Sequence, residues 1–361
     1  MRIVQVLNVF TKGDAVSNNA LVIKDILTSQ GYDSEIYTEY ECAAAGNIVK
    51  HVSELPGLGV HDILIYHLSI NVLMLEKLKK LKCRKIGIYH NVTPYEFFEK
   101  YNLHFNLICK KAIYDLKNLA NTFDYCIADS TFNHDDLVRY GYKCPIDVVP
   151  IVLNMEDFKK EPNNSIVEKY NDGRTNIIFV GRVAPNKKQE DVISAFSSYK
   201  RNYDANARLF IVGSSENMEK YKLQLDAFVK HIDVKDVIFT GKIPFDELLA
   251  YYHIADVFLC MSEHEGFCVP LVEAMMFDVP IIAYSSSAVP ETLGGSGILF
   301  SEKDPLITAG LINRVVNNKK LNKSIVEGQR YRLEELSYNK LKKKLTECLM
   351  NFIQEDIEID Q

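Results

Sequence analysis

Residues 175–196 read TNIIFVGRVAPNKKQEDVISAF. An apolar run of strand length stops at Gly181, a short basic stretch follows, and a segment of helical period begins after Asn186. The same unit recurs downstream. ARLFIVG (207–213), DVIFTG (236–241), DVFLCM (256–261) and PIIAY (280–284) are strand-length runs, each parted from the next by a helical stretch. RIVQVLNV, EIYTE, DILIYHL, KIGIYH, YCIAD and IDVVPIV form an earlier series of the same kind. Such alternation predicts an α/β protein with parallel sheets covered by helices on both faces. Three strands of the later series end in glycine, at Gly181, Gly213 and Gly241. Ligands of open α/β sheets bind outside the carboxyl ends of the strands, where glycine admits a close approach. A plain tight turn explains any one of these glycines; three in equivalent places favour a binding crevice.

The two series fit the length, because 361 residues exceed what one core of about 150 to 200 residues supports. The boundary is expected near residue 153, where IVLNMEDFKKEPNNSIVEKYNDGR turns polar and rich in turn formers. Residues 1–153 and 154–332 are then two Rossmann-like domains. Residues 333–361 add a helix, YNKLKKKLTECLMNFIQ, that packs back on the first domain, and an acidic tail, EDIEIDQ.

Hydrophobic residues make up 47% and charged residues 25%, and no apolar run reaches the about 20 residues of a membrane span. The first residues read as a strand and not as a secretion signal. Eight cysteines lie scattered without a CxxC pair or a His/Cys cluster at ligand spacing, which predicts reduced thiols in a cytoplasmic protein. A net charge of -6 argues against nucleic acid as a partner.

In the loop after Gly181, Arg182 and Lys187 or Lys188 stand at the strand's carboxyl edge, ahead of a helix. Cations are unfavourable at that end of a helix dipole, so their placement makes sense if an anion such as a pyrophosphate arrives. A solvated charge cluster is the alternative. In EHEGFCVPLVEAM (263–275), Pro270 suits the first turn of a helix running to Met276. Glu265 precedes that helix, Glu273 lies a turn inside it, and Gly266 frees the backbone N–H groups to face a phosphate. Carboxylates on either side accept hydrogen bonds from sugar hydroxyls. His90 ends a strand, and His67 has the same setting. A half-buried, hydrogen-bonded histidine explains either without a ligand.

The order FVGRVAPNKK, FTGK, EHEGFCVPLVEAM and PIIAYSSSAVPE resembles the C-terminal half of the retaining GT-B glycosyltransferases of family 4, marked by a Glu-x7-Glu motif. GDAVSNN, IGIYHNVTPYEFF and CIADSTFNHDDL resemble the N-terminal motifs of that family, in its order. The resemblance implies the GT-B fold, with two parallel-sheet domains facing an interdomain crevice. It implies that Arg182 and Lys187 hold the donor pyrophosphate and that Glu273 binds ribose. Glu265 with the backbone of Gly266, Phe267 and Cys268 would contact the donor sugar, and His90 the hydroxyls near the anomeric carbon. Gly13 and Asp14 would contact donor phosphate, with Gly181, Lys242 and Ile243 completing the nucleotide pocket. Lys188 stands where many members have glycine, and Gly13 is single where many have two.

The expected activity is transfer of a hexose, with retention, from a nucleotide-diphosphate sugar, best read as GDP-mannose. The acceptor is a glycan or lipid-linked saccharide in polysaccharide or O-antigen assembly. No cofactor is expected beyond the donor, and the metal-ligand set is none, because no Asp-x-Asp pair occurs. A UDP-sugar donor, a sugar-nucleotide epimerase and a non-catalytic sugar-nucleotide-binding module are the alternatives. Tyr95, Phe97, Phe98 and Tyr101 beside Lys100, Lys110 and Lys111 read as a surface for peripheral contact with the inner face of the membrane, or as a helix packed on its own domain.

Overall fold

The computed structural model describes residues 1–11, 13–40, 46, 48–70 and 72–354. Cys42 and the acidic tail 355–361 lie outside them. The chain forms two compact units.

The first unit holds Met1–Tyr95, His104–Leu153 and the chain from Leu336. Its strands are β1 (Arg2–Leu7), β2 (Asp33–Thr38), β3 (Lys50–His51), β4 (Ile63–Leu68), β5 (Arg84–Tyr89), β6 (Tyr125–Ala128) and β7 (Ile146–Val148). They pair in parallel in the order β3-β2-β1-β4-β5-β6-β7. Every residue of β4 is buried, as expected of a parallel strand covered on both faces. The strand order reverses between β1 and β4, the place where open sheets part their loops.

The helix Tyr338–Gln354 belongs to this unit. Leu341, Leu345, Leu349 and Phe352 recur at helical spacing on its buried side. The Phe352 ring stacks on Tyr125 with centroids 5.4 Å apart, and the Arg84 guanidinium sits 3.7 Å from the Phe352 ring centre.

The second unit holds Asn154–Glu335 together with Glu96–Leu103. Its strands are β8 (Asn176–Val180), β9 (Arg208–Val212), β10 (Val237–Gly241), β11 (Val257–Cys260), β12 (Ile281–Tyr284) and β13 (Ile298–Phe300). They lie parallel in the order β10-β9-β8-β11-β12-β13, reversing between β8 and β11. The core on one face combines Ile178, Phe210, Phe258 and Ile281 with Leu271 and Met275 of the helix Val269–Met276.

Of the two readings of the aromatics around Glu96–Leu103, burial favours packing. Phe98 is buried, and Tyr95, Phe97 and Tyr101 are only partly exposed. Tyr101 meets Tyr221 edge-on at 5.0 Å, Phe97 lies 6.4 Å from His264, and Lys220 Nζ donates to the Lys100 carbonyl at 2.5 Å. Phe97 and Tyr101 thus find ring partners within the second unit. Among the described residues no helix is long and apolar enough to cross a membrane.

Candidate active site

The loops after β8 and β11 leave the sheet at its strand-order reversal and are tied to each other. Asn186 is buried; its Nδ2 donates to the His264 carbonyl at 3.1 Å, and its own carbonyl accepts from the Glu263 N–H at 2.8 Å. From the side of β12, the Ser287 hydroxyl accepts from the Glu265 N–H at 2.8 Å and the Ser286 hydroxyl donates to the Ser262 carbonyl at 2.5 Å. The Thr292 hydroxyl donates to the Phe267 carbonyl. Glu265 is therefore held by backbone and side-chain bonds at both ends of its loop.

Lys187 Nζ donates to Glu265 Oε2. Burial works against the Lys187 charge, but the Glu265 carboxylate more than compensates and keeps the lysine above its ordinary pKa. Lys188 adopts a left-handed backbone, φ 52°, which turns its side chain to Glu263 at 3.3 Å and Glu190 at 3.8 Å. Lys303 reaches the same Glu263 at 2.8 Å. The anions facing the two lysines are thus side chains of the same unit, so the stretch is a compensated charge cluster before any ligand enters. Arg182 is exposed on the β8 loop, with Nη2 3.5 Å from the Glu216 carbonyl.

The helix expected from Pro270 starts one residue earlier, at Val269, with Pro270 in its first turn. Glu273 lies one turn in. Burial pushes its carboxyl up to about 7 from 4.5, although the Tyr252 hydroxyl, donating to Oε2 at 2.7 Å, favours the charged form. The sign follows from linkage. Below the ordinary value Glu273 is protonated in folded and unfolded chains alike; between that value and about 7 only the unfolded chain ionises, so stability falls as pH rises and stays lower above that range. The full shift corresponds to roughly 3 kcal/mol as an upper figure. Glu273→Gln is expected to be more stable than the parent at pH 8 and nearly equal at pH 5, as read by chemical denaturation at the two pH values.

Lys242 is exposed after β10, and Ile243 packs on the core cluster that includes Cys268 and Leu271. Gly181 and Gly241 both have positive φ at strand ends.

In the first unit the predicted residues occupy two places. Asp14 caps the helix Ala15–Ser29, its carboxylate accepting from the N–H and hydroxyl of Ser17 at 3.1 Å, and Gly13 turns into that cap with φ 86°. His90 directly follows β5 and lies inside a chain of four polar side chains. Gln5 Nε2 donates to the Ala20 carbonyl at 3.0 Å, which turns Oε1 toward His67. His67 Nε2 therefore donates to Gln5 at 3.1 Å, and its Nδ1 accepts from His90 Nε2 at 2.9 Å. Complete burial, with the neighbouring His90 adding to it, holds the His67 pKa well below the ordinary range, so this ring is neutral. His90 Nδ1 faces Asp129 Oδ2 at 2.9 Å. Both ring nitrogens of His90 are therefore engaged by neighbouring side chains.

Sequence reasoning missed Asn186, Ser287, Gln5 and Asp129 as organisers of these sites. SSSAVPE and CIADS carried the only signal for Ser287 and Asp129, and no role attaches to either without the fold.

Two parallel-sheet Rossmann-like units with binding-type loops at the carboxyl ends of their strands define the GT-B fold. HepE of Anabaena, solved in complex with UDP-glucose, has that fold and superposes with a TM-score of 0.73 at 16% identity, over 97% of this chain and 100% of that one. Residues 160–332, in the second unit, match the family described as glycosyl transferases group 1. Among curated relatives, a GDP-mannose-dependent alpha-(1-6)-phosphatidylinositol monomannoside mannosyltransferase of Mycobacterium tuberculosis is 30% identical over 165 residues, 43% of this chain and 42% of that protein. The chain thus spans less than half of that relative. The O-antigen chain mannosyltransferase RfbU of Salmonella typhimurium is 25% identical over 285 residues, 73% of each.

Proposed function

We propose that this protein is a retaining hexosyltransferase that takes a nucleotide-diphosphate sugar, best read as GDP-mannose, and glycosylates a glycan or lipid-linked acceptor. The observation that carries the reading is the Lys187–Glu265 pair, held where β8 and β11 part, inside the residues that match the family. A lysine already paired to a carboxylate is poised to exchange partners. When a pyrophosphate arrives the ammonium gains a dianionic partner, and Glu265 is freed to accept hydroxyl hydrogen bonds from the sugar. Arg182, exposed on the same loop, supplies a second cation. Glu273 accepts from ribose in its ionised form, and His90 contacts hydroxyls of the transferred sugar near its anomeric carbon. In this reading the proton of the acceptor hydroxyl passes to a donor phosphate oxygen, so neither glutamate is a general base, and charge on the leaving nucleotide is met by cationic side chains without a metal.

The mannosyltransferase relatives favour GDP-mannose; the likeness to a UDP-glucose complex keeps a UDP-sugar as the second reading. Peripheral membrane contact is also part of the proposal. On the helix Leu103–Asn118, Leu103, Leu107 and Tyr114 are exposed beside Lys110 and Lys111, a mixture that suits an anionic lipid surface.

Thermal unfolding in the presence of GDP-, UDP-, ADP- and dTDP-sugars tests the donor. Ligand at a hundredfold excess over its dissociation constant adds about 2.7 kcal/mol. The expected result is the largest rise in Tm with GDP-mannose; a rise with UDP-glucose alone would move the assignment to the second reading. Transfer that persists in excess chelator, with the anomeric configuration kept, is the expected outcome with acceptor.

A further inference from the structure

Cys260 ends β11, and Cys268 is the last residue before the helix Val269–Met276, so the intervening loop brings two thiols back beside Glu265. One ligand atom from each of the three lies within 4.8 Å of the other two, and all three residues are buried. Cys268 has φ 72°, a left-handed conformation that costs an L-residue roughly 1 kcal/mol or more and glycine almost nothing. The chain places a thiol there despite that cost, which points to a use for the side chain.

The structure assigns Cys260, Cys268 and Glu265 as a binding site for a thiophilic divalent cation, with Zn2+ the best match. Two thiolates select borderline and soft ions over Mg2+ or Ca2+. Tetrahedral zinc, with Zn–S near 2.3 Å, sets its sulfur ligands about 3.8 Å apart and a carboxylate oxygen about 3.6 Å from each sulfur. A spread within 4.8 Å closes onto that geometry with at most about 1.2 Å of contraction. Charge also balances. Two thiolates and a carboxylate carry three negative charges, and the cation with the Lys187 ammonium carries three positive ones. Lys187 holds Oε2 of Glu265, and the other carboxylate oxygen is the one assigned to the ion. Binding releases two thiol protons to solvent, and water completes the coordination. The assignment does not depend on sugar transfer.

Cd2+ added to the full chain is the probe, read by its ultraviolet thiolate-to-metal band and by equilibrium dialysis. The parent is expected to bind one ion with this band, unaffected by excess Mg2+. Cys268→Gly, which relaxes the left-handed residue and so keeps the fold, is expected to lose both band and ion, as is Cys260→Ser. Cys126→Ser, which breaks the other close thiol pair, Cys126 and Cys144 with sulfurs 3.7 Å apart, is expected to keep them. An unchanged band and stoichiometry in Cys268→Gly, or no band in the parent at one equivalent, overturns the assignment.

Discussion

Lys187→Met is expected to lower stability by about 3 to 5 kcal/mol, because it strands the Glu265 carboxylate, 7% exposed, without its cation. The double variant Lys187→Met with Glu265→Gln removes both charges and is expected to recover most of that loss. Denaturant midpoints of the parent, the two single variants and the double variant form the cycle that measures it. A loss that is additive in the double variant would show that the pair does not interact. The same substitution separates structure from function. Under the proposed activity, Lys187→Met loses transfer by on the order of a thousandfold, the scale of removing a preorganised charge from a reacting centre. Glu265→Gln keeps an acceptor and so is expected to lose less.

Gly213→Ala is expected to be the most disruptive change of a single atom. A Cβ at Gly213 would stand 2.1 Å from the Gly181 carbonyl oxygen, and φ at Gly213 is 148°. Backbone meets backbone there, so no rotamer relieves the clash. The strands β8 and β9 are in register to Val180 and Val212, and Gly181 N–H and Val183 N–H continue the pairing to Val212 and Ser214 at 2.9 Å. Separating them moves the loop that carries Arg182 and Lys187. A loss above about 3 kcal/mol is expected. Gly241→Ala, with φ 70° and open space around the added carbon, is expected to cost only about 1 kcal/mol. Equal denaturation midpoints for the two variants would contradict the close approach.

The α/β alternation was legible in TNIIFVG and its successors because strand period, helix period and strand-end glycine are all local signals. Strand order was not, since nothing in β1 names β4 as its neighbour. Glu265 and Glu273 were legible around Pro270 because a helix start has a local signature. The partner of Lys187 lies 78 residues further along the chain, and proximity of that kind has no local code. The same limit explains the aromatics of 95–101. An apolar face reads identically whether it meets solvent, lipid or Tyr221, and the partner comes more than a hundred residues later. His90 could be picked out at its strand end, but the direction of its hydrogen bonds was fixed by Gln5, at the far end of the chain of contacts.

The return of the helix Tyr338–Gln354 to the first unit sets an order on synthesis. A ribosome that has released residues 1–153 has delivered β1 to β7, yet Arg84 and Tyr125 still lack Phe352. The second unit, whose segments run from Glu96 to Glu335, is complete before the first. The unit that begins folding earliest is therefore the last to be finished, and a fragment cut at residue 153 leaves a partly uncovered sheet.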